Sequence, residues 1–223
     1  MPRLSRVAVG DTVYHALNRS NGRVTIFQNK DEYRHFEALL LEGVELTGMR
    51  MLAYCIMPNH WHLVLYPIHD SDLSEFMRWV TTTHVRQRRV QTKSVGEGHL
   101  YQGTYKSFPV ETDKHLHDLI RYVEQNPLRA GLVKKAEDWQ WSSLYRRRRN
   151  SSEDNKLLAQ LPTELPVNYS DSVNELLPIE KLDTVRHSIN KGKPFGSMDW
   201  VEKMVIDHKM ENTLRNSGRP KQI

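Results

Sequence analysis

The chain has 223 residues, of which 38% are hydrophobic and 26% charged, and its 32 basic and 27 acidic side chains leave a formal net charge of +5. That size and composition suit one ordinary domain plus an extension, and no apolar run approaches the ~20 residues that a membrane-spanning helix needs. A single cysteine, Cys55, excludes an internal disulfide, and the mild basic excess is compatible with a polyanionic partner. The opening stretch "MPRLSRVAVG" has no apolar core before a small-residue cleavage site, so a cytoplasmic location is expected.

The elements follow in order. Residues 11–19 alternate with Val13, His15 and Leu17 on one side, a strand pattern. Residues 29–48 read as a helix with Asp31 as N-cap, apolar residues at 33, 36, 39, 40 and 44, and Gly48 as the stop. Residues 49–57 and 60–67 form a hairpin across the Pro58-Asn59 turn. A second helix over 70–91 has an acidic start and a basic end, which suits its macrodipole. A loop, a short strand over 103–110 and a helix over 111–126 closed by Pro127 come next. The order β-α-β-β-α-β-α argues an α+β fold with helices packed on a small antiparallel sheet. Residues 150–172 read as a polar linker, and two short helices follow near 177–192 and 197–210.

On a strand, positions i and i+2 share a face, so His60 and His62 stand together while Trp61, Leu63 and Leu65 face the other way. Two neutral imidazoles are half of a transition-metal site, or else a half-buried hydrogen-bonded pair. The helix over 111–126 offers a third donor. Tyr122 and Asn126 are four residues apart and share one helix face, whereas Glu124 and Gln125 lie on other faces. Asn126 also suits an N-cap, with Pro127 at the first position of a following helix. Trp139 and Trp141 suit packing of the last helix onto the core, or stacking on a base.

The blocks "YCIMPNHWHLVLYP", "FMRWVTTTHVRQRRVQ", "GHLYQGTYKSFPVE" and "LIRYVEQNPLRAGLV" together resemble the single-tyrosine HUH transposases, IS200-like, in their REP-associated tyrosine transposase branch. The resemblance covers roughly residues 10–149. It implies a ferredoxin-like, RRM-like sheet and a catalytic domain over 1–149. Residues 150–223 would form a C-terminal linker and basic accessory tail, helical or partly disordered. It implies that His60, His62 and Asn126 bind Mg²⁺ or Mn²⁺; many relatives have Gln in place of Asn126. Tyr122 would attack a phosphodiester of single-stranded DNA at repetitive extragenic palindromic hairpins, leaving a 5′-phosphotyrosine and a free 3′-hydroxyl. Tyr101 and Tyr105 lack a candidate ligand one helical turn away. A monomer at the nucleoid is expected, with a dimer as the alternative.

Backbone contacts to DNA are expected from Arg86, Arg88 and Arg89 and from Arg146, Arg147 and Arg148. Arg219 joins them within "GRPK", which resembles an AT-hook core. Two rivals differ in readout: a hairpin-binding protein that does not cleave, and a metallohydrolase that uses water and leaves no covalent adduct.

Overall fold

The alternation of residues 13–19 makes a strand, and in the computed structural model, which describes residues 7–93, 98–149 and 156–215, β1 spans Val13–Arg19. It is an inner strand. On one side it pairs antiparallel with β3 (His60–Tyr66), which pairs in turn with β2 (Arg50–Met57); on the other it pairs with β4 (Lys106–Val110). The sheet order is β2-β3-β1-β4.

Strand alternation sorts the side chains onto two faces. Trp61, Leu63 and Leu65 join Tyr14 and Ala16 in one core, against α1 (Lys30–Thr47) and α2 (Asp72–Thr92). Val64, Val13, Phe108 and Val110 join a second core on the opposite face. There they meet Leu116, Leu119, Ile120 and Val123, the apolar stripe of α3 (Lys114–Glu124). The α+β architecture expected from the element order is thus present, with helices on both faces. Cys55 is buried in the second core.

Asn29, not Asp31, caps α1. Its side chain accepts from the backbone N–H of Asp31 and Glu32, both at 3.1 Å. Asp31 instead lies in the first turn and pairs with Arg34. A residue inside the helix already has helical backbone angles, so its side chain cannot fold back to the N2 or N3 amide as a cap does. Asn29→Ala should cost about 1 kcal/mol, read as a lower urea midpoint, and Asp31→Ala should cost less. Gly48, at φ +67°, stops the helix in the left-handed region as expected.

The helix over 111–126 is shorter than its pattern. It starts at Lys114 behind the Asp113 cap and ends at Glu124. Gln125 keeps a right-handed helical conformation, and Pro127 falls in the first turn of a four-residue helix, α4 (Asn126–Arg129). Proline therefore bends the chain into a new helix, because its missing N–H is tolerated at a helix start. After α5 (Ser143–Arg149) come α6 (Tyr169–Asn174), α7 (Ile179–Lys191) and α8 (Met198–Asp207). The last two match the two expected helices; α6 begins within the stretch expected to be a linker.

Those later helices are not peripheral. Tyr169, Val173, Leu177, Leu182, Val185 and Phe195 are buried in the second core. Phe195 also pairs its backbone with β4 and the residue after it, through Phe195 N–H to the Pro109 carbonyl and Glu111 N–H to the Phe195 carbonyl, both 2.9 Å. Gln125 is fully buried. Its amide donates to the Val173 and Glu175 carbonyls at 2.9 and 2.6 Å, so the end of α3 is held from behind by the C-terminal segment.

Candidate active site

Pairing to β1 sets Leu17 opposite His62 and Arg19 opposite His60. The two imidazoles lie with ring centres 5.1 Å apart, and both face a cavity of about 450 Å³. Each has one nitrogen occupied. His60 Nδ1 is 2.7 Å from Asn59 Oδ1, which requires the proton on Nδ1 and leaves Nε2 bare. His62 Nδ1 is 2.9 Å from Nε2 of His15, a fully buried neighbour on β1. The remaining nitrogen of both ligand candidates is therefore Nε2.

Tyr122 and Asn126 line the same cavity, as their spacing implied. The Tyr122 ring stands edge-on to His62, with centres 5.8 Å apart. The N-cap expected of Asn126 is not made. Its amide instead donates backward, to the Tyr122 and Val123 carbonyls at 3.0 and 3.2 Å, satisfying the open end of α3. Its Oδ1 accepts from Arg129 Nη2 at 2.7 Å. Arg129 was absent from the residues expected by sequence; its guanidinium lies 4.3 Å from the centre of the Tyr122 ring. Only its place one turn after Asn126 in "NPLR" could have signalled it. Burial pulls the Arg129 guanidinium below its usual range.

Burial pushes the His60 pKa down to about 4, with Arg19 and Arg129 adding to the effect. Burial also holds His62 well below the usual range, helped by the positive charge that His60 and His15 would carry. Both imidazoles are thus neutral at pH 7, the form that binds metal. His15 and His84 are pushed down to about 3 by burial. Each folded value lies below the ordinary 6.5, so the unfolded chain takes up protons first as pH falls. Stability should be level above about pH 6.5 and decline as pH falls from there toward the folded values. A urea midpoint that stays flat from pH 7 to pH 4.5 would contradict this.

The basic clusters divide. Arg88 is turned inward against Glu32, Arg146 against Glu37 at 2.9 Å, and Arg147 against Glu124. Arg88, Arg146 and Arg147, expected at DNA, are thus each paired with a carboxylate of the chain itself. Arg148 is half-exposed and pairs with Glu137. Arg219 lies outside the described residues. Arg86 and Arg89 line a groove of about 1090 Å³ between α2 and residues 99–105, on the opposite side of the sheet from the histidine pair. Tyr101 and Tyr105 belong to that groove; Tyr101 is tied to Trp61 at 2.9 Å and His84 at 2.6 Å. Trp141 stacks on Tyr33 and Trp139 donates to the Ile56 carbonyl, the core role expected of them.

A further cluster, Glu111, Asp113 and His115, brings ligand-type atoms within 4.8 Å of one another. It acts as a joint: Asp113 caps α3, and Glu111 accepts from the Ser197 backbone at 2.6 Å at the start of α8. Among the described residues no helix is long and apolar enough to cross a membrane.

Residues 8–126 match the family model described as transposase IS200 like. A REP-associated tyrosine transposase of Escherichia coli is 23% identical over 139 residues, covering 61% of this chain and 78% of the relative. A Haemophilus influenzae protein given the same designation provisionally is 24% identical over 124 residues, covering 52% and 70%. Among solved structures, a REP-associated tyrosine transposase bound to a REP hairpin aligns with 80% of this chain and 99% of its own, with a TM-score of 0.54 and 20% identity.

Proposed function

Because the chain belongs to the IS200-like transposase family, we propose that it is a metal-dependent strand-transferase that cuts and rejoins single-stranded DNA at palindromic hairpins through Tyr122. The observation that carries this reading is the meeting of Tyr122 and the His60–His62 pair in one cavity. The hairpin as partner follows from the relative solved with one.

In the forward step the phenol oxygen of Tyr122 bonds to phosphorus as the bond from phosphorus to the 3′-oxygen breaks. The phenol proton passes to solvent or a base, and the departing 3′-oxygen takes one up. The result is a 5′-phosphotyrosine and a 3′-hydroxyl, and rejoining is the reverse with another 3′-hydroxyl. His60 and His62 would hold Mg²⁺ or Mn²⁺ through Nε2, and Asn126 Oδ1 would join them on leaving Arg129. The donor set fits such an ion: two neutral imidazoles with their far nitrogens tied, and room for DNA oxygens. A bound divalent ion would neutralise a nonbridging phosphate oxygen and polarise phosphorus. One chain supplies His60, His62, Tyr122 and Asn126 to one cavity, which supports a monomer as the working unit.

The test uses hairpin DNA labelled at its 3′ end, with Mn²⁺ or Mg²⁺, on a denaturing protein gel. A labelled protein band supports the reading. Cleavage without a band points to water as nucleophile, and binding without cleavage to a hairpin-binding protein. His62→Ala should weaken Mn²⁺ binding by at least about 10-fold and abolish the band, while hairpin affinity in EDTA stays within about threefold because phosphate contacts dominate it.

The DNA backbone would run along the groove that Arg86 and Arg89 line. Arg86→Ala should weaken hairpin binding and lower the slope of log affinity against log salt by about 1. An unchanged slope would remove Arg86 from the interface.

A further inference from the structure

Arg129 is unusual in its surroundings. Its Nη1 is buried without a hydrogen-bond partner, while Nη2 is held by Asn126 Oδ1 and the guanidinium lies against the Tyr122 ring. A buried N–H of a cation left without an acceptor is rare in folded proteins and calls for an explanation, a ligand being one. The cavity says what. Among the described residues that line it, Arg19, Lys106, Arg129 and Arg186 supply positive charge, and there is no aspartate or glutamate. Every other inward-turned arginine described above has a carboxylate of the chain itself. Arg129 has the Asn126 amide oxygen and the Tyr122 hydroxyl, which are neutral and exchangeable partners.

We propose, resting on Tyr122 as the nucleophile, that Arg129 is a second catalytic residue and binds a nonbridging oxygen of the scissile phosphate beside the phenol. The guanidinium is a planar fork that matches phosphate. It is placed on the helix that begins at Asn126, with its backbone N–H on the Gln125 carbonyl at 3.0 Å, so it is fixed relative to the end of α3. As the phenol oxygen bonds to phosphorus and the 3′-oxygen leaves, negative charge grows on the nonbridging oxygens, where a guanidinium turned toward the phosphate would stabilise it. Arg129 neither gains nor loses a proton. Its turn toward phosphate also frees Asn126 Oδ1.

The test neutralises the phosphate rather than only the arginine. Full-length Tyr122→Phe protein is titrated in EDTA with hairpin DNA in which single linkages around the hairpin foot are replaced, one at a time, by methylphosphonate. At one linkage the neutral replacement should weaken binding about 10–100-fold. In the Tyr122→Phe/Arg129→Ala protein that same linkage should show little or no loss. Equal losses in both proteins at every linkage overturn the proposal. In the otherwise native chain, Arg129→Ala should slow adduct formation about 10²–10³-fold, with Arg129→Lys recovering part of it at an unchanged melting temperature. An undiminished Arg129→Ala rate removes Arg129 from the reaction but leaves the transesterase reading intact. Absence of any adduct from the native chain removes that reading and this inference together.

Discussion

Tyr122→Phe should fold, bind hairpin DNA and form no covalent adduct, with cleavage reduced at least on the order of 10³-fold, as removal of a nucleophile requires. The change deletes one oxygen. The ring that remains still fits between His62, 5.8 Å away, and the Arg129 guanidinium, 4.3 Å away. Its ring surface stays in the second core, so the loss in stability should be no more than about 1 kcal/mol. Binding is expected to persist because phosphate contacts carry most of the affinity for a nucleic acid. The measurement is the labelled band on a denaturing gel beside a binding titration. A band that survives assigns the nucleophile elsewhere. Tyr101 does not stand in for it: its hydroxyl is engaged by Trp61 and His84 on the opposite side of the sheet.

The second large effect concerns stability. Glu124 is fully buried two residues after the proposed nucleophile. Its carboxylate accepts from Ser143 and Arg147 of α5 and from the Tyr169 hydroxyl of α6, the last at 2.6 Å. Ser143 in turn accepts from the Tyr54 backbone N–H of β2 at 3.0 Å. One carboxylate thus joins α3, the sheet and both following helices. Glu124→Ala leaves an arginine and two hydroxyls without their acceptor, and such a break should cost about 3–5 kcal/mol. Glu124→Gln keeps an acceptor and loses the charge, so it should cost less. Urea unfolding with an unchanged slope gives the measurement. A loss below 1 kcal/mol for Glu124→Ala would mean that Arg147 finds solvent easily and that the network contributes little.

The sheet and the two pairs, His60 with His62 and Tyr122 with Asn126, were legible because they rest on local periodicity, while the meeting of the two pairs was implied only by the family resemblance. Two residues apart on a strand is one face, and four apart on a helix is one face. The fate of the arginines was not legible in the same way. Arg88 meets Glu32 across 56 positions and Arg146 meets Glu37 across 109. A long guanidinium side chain reaches solvent or a distant carboxylate equally well, and local charge density does not choose between them. Arg129 was hidden for the same reason: its significance lies in what it touches and in the partner that one of its nitrogens lacks. The Asp31 cap failed by two residues, within the usual uncertainty of helix ends. The α6 helix is only six residues long, too short to display a period.

The C-terminal segment also sets the order in which the molecule can be completed. Chains emerge from the ribosome N-terminal end first, and domains fold as their last contacts become available. The first core draws on no residue beyond 158. The second core does: Tyr169, Val173, Leu182, Val185 and Phe195 close over the face that carries α3, and Gln125 waits for the carbonyls of Val173 and Glu175. While a nascent chain is shorter than that, α3 has its apolar stripe on the sheet and its outer side bare. The helix that carries Tyr122 is therefore among the last parts of the protein to become rigid during synthesis.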